Sequence, residues 1–246
     1  MKLFLSKLYA ILGAFFLSLM AVGFCEAASD ISNATNKTKM TINVGIYAPF
    51  SNESAFIGRN MLGAMEIARD QLKSSDIHYE FYTLDQMPNS ANAAKTVQKF
   101  IDAHHINVLV TEGTESGALV APLAKKNKLI HFCLTDDSII ADGKNNFLTQ
   151  SPNHKQAAVL THSVKPEFIA QFKQEYFSHP VSEAGYAFDI FHLIHSSAQL
   201  AMKTHSDFSS QAVATHLLAL ESGTGVMGTF NLDKNGVSYK KQILTA

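Results

Sequence analysis

The chain has 246 residues, 46% of them hydrophobic and 17% charged, with 20 basic against 21 acidic side chains. That composition lies far from the polar, charge-rich signature of disorder, and a net charge of −1 with two Arg excludes a strongly basic nucleic-acid binder. Two cysteines cannot build a disulfide-stapled scaffold, and the length allows one large domain or two small ones.

Lys2 and Lys7 give a positive start, and an uncharged apolar run follows from Leu8 to Cys25. Cys25 and Ala27 are the small residues at −3 and −1 of a cleavage point after Ala27. This is the layout of a cleaved secretory signal peptide over residues 1–27, which implies a periplasmic location. The competing reading is an uncleaved anchor, because the 18 uncharged residues are just long enough to span a bilayer. Removing 27 residues that carry two Lys and one Glu leaves 219, with net charge −2 and Cys133 alone, so no internal disulfide can form. Cys133 lies in an apolar run and reads as a buried, inert thiol. Residues 28–40 are polar and aperiodic, as expected of a disordered linker.

From there a strand–helix rhythm sets in. Ile42–Tyr47 is a short apolar strand, Pro49–Glu53 a turn, and Gly58–Leu72 a helix burying Met61, Leu62, Met65, Ile67, Ala68 and Leu72. Tyr79–Leu84 is a second strand. After the turn at 85–90, Ser90 caps a helix that turns Ala94, Val97, Phe100 and Ile101 inward. Val108–Val110 is a continuous apolar strand of the kind buried on both faces of a parallel sheet. The turn Glu112–Gly117 leads to a helix ending near Lys128, Leu129–Leu134 is a fourth strand, and Phe147–Thr149 a fifth. The second half holds helical periods over Glu167–Phe177, Glu183–Lys203 and Ser209–Glu221. A hairpin signal, Asp233-Lys234-Asn235-Gly236, then stands between Phe230 and Tyr239. The expected fold is α/β: an open parallel sheet with helices on both faces, followed by C-terminal helices and a hairpin.

In such a sheet ligands bind beyond the carboxyl ends of the strands, which points to the loops 49–58, 112–117 and 135–138. Ser51 lies in the first. The second, Glu112-Gly113-Thr114-Glu115-Ser116-Gly117, offers hydroxyls and backbone N–H groups at a positive helix end, suited to an anion such as a carboxylate. Plain N-capping by Ser116 is the equally simple alternative. Thr135 exits the adjacent strand, so that two hydroxyls could converge. Among the eleven histidines, His104/His105 and His192/His195 are the closest pairs, but no carboxylate or cysteine completes a metal-ligand set, and they read as solvated or core-edge side chains. No phosphate loop, dinucleotide fingerprint or nucleophile elbow is present, so neither an enzyme nor a cofactor is expected.

Ile42–Ser51, Gly58 and Leu62–Ala68 resemble the opening of type I periplasmic solute-binding proteins, the leucine/isoleucine/valine-binding group that feeds ABC transporters. The likeness continues through Asp85-Gln86, Ser116-Gly117, Ala121-Pro122 and Thr135, then Phe168–Tyr176, Gly185–Asp189, Gly225–Asp233 and Gly236. The resemblance implies a Rossmann-like lobe in which Ser116 and Thr135 hold a ligand's carboxylate. It also implies a first-loop aromatic contact, at Ile57 with Phe56 beside it. Glu112 stands where that family commonly has glycine, and with Glu115 it would weaken carboxylate binding or favour a cationic ligand.

The family has two lobes that close on the ligand. Here Ser151–Leu160 resembles the departure into the second lobe and Lys165 already the return, so a block the size of a small domain is absent. The expected organisation is an N-terminal lobe over 41–160, then closing helices and a hairpin over 161–246. The implied function is a periplasmic substrate-binding component of an ABC transporter for amino acids or related small solutes, whose partners are the ligand and the transporter's membrane subunits. The alternatives are a protein-interaction or homodimerising module derived from such a receptor, or a degenerate remnant.

Overall fold

The computed structural model describes residues 39–72, 76–87, 92–149, 165–204, 208–220 and 223–240. The expected signal peptide, most of the linker, Ser90 and the segment 151–160 lie outside them. Five strands form one parallel sheet: β1 (Met40–Ala48), β2 (Ile77–Asp85), β3 (Val108–Glu112), β4 (Ile130–Leu134) and β5 (Asn146–Thr149), in spatial order β2-β1-β3-β4-β5. Helices α1 (Ala55–Gln71), α2 (Ala93–His104) and α3 (Thr114–Asn127) connect the first four strands, and one 3-10 turn at Ser138–Ile140 precedes β5. Then come α4 (Pro166–Tyr176), α5 (Ser182–Lys203), α6 (Ser210–Ala219) and an antiparallel ribbon of β6 (Gly223–Gly225), β7 (Gly228–Leu232) and β8 (Ser238–Lys240).

Alternation along the strands divides the core between two faces. Ile42, Val44 and Ile46 of β1, Val108 and Val110 of β3, and Phe132 and Phe147 join Met61 and Met65 of α1, Phe168 and Phe172 of α4, Phe191 and Ile194 of α5 and Leu217 of α6. On the other face Tyr47 and Leu109 meet Val97, Phe100 and Ile101 of α2 and Val120 and Ala124 of α3. Helices therefore cover both faces, as the apolar runs require. In α2 the inward alanine is Ala93 rather than Ala94, because the helix starts at Ala93 behind an N-cap at Asn92. Cys133 is fully buried, and burial pushes its thiol up to about 12.

The hairpin is tied back to the sheet and to α5. Gly236 O accepts from Leu148 N at 2.9 Å, and Asp189 of α5 accepts from the backbone of Val226 at 2.7 Å and Met227 at 3.1 Å. Gly225 admits that carboxylate: a Cβ there would lie 2.1 Å from it. Burial raises Asp189 to about 6, against the lowering effect of those two amides and of Lys165.

Candidate functional site

The strand order changes direction between β1 and β3, which is where an open α/β sheet leaves a crevice beyond its carboxyl edge. A cleft of about 830 Å³ lies there. Pro49, Ser51, Asn52, Ser54 and Ile57 line it from the loop and helix after β1, Asp85, Gln86 and Met87 from the end of β2, and Glu112 to Ser116 from the end of β3. Glu183, in the first turn of α5, completes one wall.

Backbone geometry builds these walls. Gly113 is the N-cap of α3 at φ 84°, a left-handed conformation that suits glycine. It turns the chain sharply out of β3, and Gly117 N donates to Gly113 O at 3.0 Å to close the first helical turn. The amides of Thr114, Glu115 and Ser116 are thus first-turn groups with no intrahelical acceptor, and no side chain caps them. Ser116 lies inside the helix, so the N-capping alternative is overturned: Gly113 starts the helix sooner than a capping serine would. Opposite, Gly58 lets α1 approach the β1 loop, donating to Pro49 O at 3.1 Å where a Cβ would stand 2.4 Å from that oxygen.

The sequence candidates fall in different places. Ser51 and Ser116 line the cleft. Ser51 is tied down: hydrogen bonds to Asp85 from its hydroxyl, and from the backbone amides of Phe50 and Ser51, hold that carboxyl below its ordinary range. Thr135 is fully buried and does not line the cleft; its Oγ1 lies 2.6 Å from Oγ1 of Thr114, which does. The hydroxyls brought together are thus those of Thr135 and Thr114. Phe56 is 44% exposed on the first turn of α1 and outside the lining, whereas Ile57 is part of it.

Gln86 and Glu183 were not singled out by residue chemistry. Gln86 Nε2 donates to Glu112 O at 2.6 Å and to Tyr47 O at 3.3 Å, clipping the ends of β1 and β3 together. A deeper lock lies behind the cleft. Asn146 Nδ2 donates to Asp142 Oδ2 at 2.8 Å, so Asn146 Oδ1 is left to accept from His131 Nδ1–H at 2.8 Å. That tautomer makes His131 Nε2 the acceptor for the Thr111 hydroxyl, also at 2.8 Å. Burial holds His131 down at about 4, so the ring is neutral near pH 7. One histidine of each pair has a structural partner: His195 Nδ1 meets the Tyr79 hydroxyl at 2.8 Å, and His104 stacks on Tyr82.

The arrangement matches a single lobe of the type I periplasmic binding protein fold. Among similar solved structures is a leucine-binding protein from Thermotoga maritima, at TM-score 0.61 and 11% identity, matched over 81% of this chain and 93% of that one. A branched-chain amino acid transporter substrate-binding protein from Streptococcus pneumoniae, in complex with isoleucine, matches at TM-score 0.62 and 12% identity over 81% and 94%. An ABC-transporter solute-binding protein from R. palustris, in complex with benzoate, matches at TM-score 0.67 and 11% identity over 81% and 91%. No family model and no curated protein matches the sequence.

Proposed function

We propose that the chain is the periplasmic substrate-binding component of an ABC transporter, exported by a cleaved signal over 1–27. It would bind an amino acid or related small solute and present it to the transporter's membrane subunits. The observation that carries this reading is the cleft at the β1/β3 edge, floored by uncapped first-turn amides of α3 beside the Ser116 hydroxyl, in a fold shared with solute-binding proteins. Such a helix end suits a carboxylate. Ser116 would contact it directly and Thr135 would act through Thr114. Ser51 orients the first loop, and Ile57 supplies apolar contact. The role is binding rather than catalysis.

A thermal-shift screen of the full chain with branched-chain, aromatic and basic amino acids tests this. The expected result is a melting temperature that rises with ligand concentration and a response lost in Ser116→Ala and Thr135→Ala. No response to any of them at millimolar concentration would sink the reading.

A second reading has its own support. Only residues 150–165 separate β5 from α4, too few for a second lobe over the cleft. A second copy of the chain could serve instead, making the protein a dimerising module. Light scattering across a concentration series checks it, and a strict monomer refutes it.

A further inference from the structure

The charge of the cleft carries the solute-binding reading, on which this inference rests, to a class of ligand. Asp85, Glu112, Glu115 and Glu183 line it, and no Lys, Arg or His does so among the described residues. The four carboxylates are not equivalent. Asp85 Oδ1 is occupied by the backbone of Phe50 and Ser51 and serves the loop. Glu115 is exposed on the first turn of α3, and Glu112 ends β3.

Glu183 is only 4% exposed and yet belongs to the lining. Its one hydrogen bond among the described residues comes from the adjacent Ser182 hydroxyl to Oε2, at 2.9 Å. Oε1 is left without a protein partner there, and no basic side chain pairs with the group. The N-terminal end of α5 offsets part of its charge, but a carboxylate this deeply buried ordinarily has a cation beside it. Burial also makes any such pairing stronger than it would be in water. The unmatched partner therefore fits a ligand entering the cleft.

We propose that the cleft takes a small solute bearing a side-chain ammonium or guanidinium group, a cation beyond any α-ammonium, with that side-chain cation set against Glu183 Oε1. The carboxylates of Glu112 and Glu115 add to the attracting field, and the solute's polar or anionic end meets the first-turn amides of α3. A basic amino acid meets both requirements. A neutral amino acid of the same size brings only its α-ammonium, held next to the carboxylate at the helix end, and so meets one requirement and leaves Glu183 Oε1 without a cation.

Titration calorimetry on the full chain with matched pairs, arginine against citrulline and lysine against norleucine, decides the matter. At least one cationic member should bind about tenfold or more tightly than its neutral partner, as expected when a buried charge finds its mate. Raising the salt should narrow the gap. Glu183→Gln, which keeps the side chain's shape, should remove most of the gap between the cationic ligand and its neutral partner, and Glu115→Gln should narrow it less. Equal affinity within both pairs overturns this inference and leaves the solute-binding reading standing. A cationic preference undiminished in a folded Glu183→Gln protein also overturns it. Binding of none of the four also overturns this inference, while the solute-binding reading then stands or falls by the branched-chain and aromatic arms of the thermal-shift screen. Should Glu183→Gln not fold, the matched pairs in the unaltered chain still decide.

Discussion

Strand β3 runs through two regions that obey different rules. Val108, Leu109 and Val110 are fully buried between helical layers, and two residues further on Glu112 ends the same strand in a cleft walled by carboxylates. At the sheet's centre each side chain answers to packing density. At its carboxyl edge the backbone is already held, by Gln86 across β1 and β3 and by the Asp142–Asn146–His131–Thr111 chain, so side chains are free to carry charge and hydroxyls. A rigid scaffold can hold residues there that would be costly in its interior.

The sharpest way to separate the regions is to damage the centre. Phe132 is fully buried, with its ring tilted against that of Phe147 at a centroid distance of 5.7 Å. Phe132→Ala should cost about 3–5 kcal/mol by lost transfer energy and a cavity, read as a lower urea midpoint with little change in m. Where the variant remains folded, its ligand affinity should hardly move. A large affinity loss would show that centre and edge are coupled.

Acid probes the lock between them. The unfolded chain protonates a histidine near pH 6.5, whereas folded His131 takes its proton only near 4. Stability present above pH 6.5 is therefore lost as pH falls through that window, up to about 3 kcal/mol at about 1.4 kcal/mol per pH unit. Asp189 runs the other way: raised to about 6, it favours the folded state most below its ordinary carboxyl range and least above pH 6. Melts from pH 7 to pH 4 should show a net decline that steepens in Asp189→Asn, which removes the opposing titration. A decline unchanged in that variant would place the titrating group elsewhere.

Thr135→Val is a smaller perturbation at the boundary. It deletes the 2.6 Å contact with Thr114 while keeping the volume, and should cost about 1 kcal/mol together with a measurable loss of ligand affinity. Stability lost with affinity intact would assign Thr135 to the scaffold alone.

The same division governed what could be read before the structure. Apolar runs and helical periods forecast the elements of the sheet and its covering helices, because burial on two faces leaves a dense signature in residues such as Val108–Val110 and Met61–Met65. The Asp233–Gly236 turn was equally plain, since Gly236 takes φ 79° where the chain must reverse. The edge was less legible. Ser116 has the chemistry of an N-cap, yet Gly113 opens the helix by backbone conformation alone. Thr135 has the chemistry of a ligand contact, yet its hydroxyl turns to Thr114. Glu183 looks like an ordinary acidic residue in a helix's first turn, and its place in the cleft arises only when α5 packs along α1, far away in sequence.

The smallest expected effect on stability discriminates best between the two regions. Glu115 is exposed, and its carboxylate sits favourably in the first turn of α3. Neutralising it as Glu115→Gln removes a helix-end interaction of about 0.3–1 kcal/mol and disturbs no packing. The melt of the unliganded protein should fall by no more than a few degrees. Affinity for a cationic solute should fall and its salt dependence weaken, since an exposed charge acts through a screened field. Affinity for a neutral solute with a carboxylate should instead rise, because a repelling charge has left the helix end. Opposite signs for the two ligands, with an almost unchanged melt, are what a cleft electrostatically independent of its scaffold requires. Equal shifts for both would mean that Glu115 acts by shaping the loop.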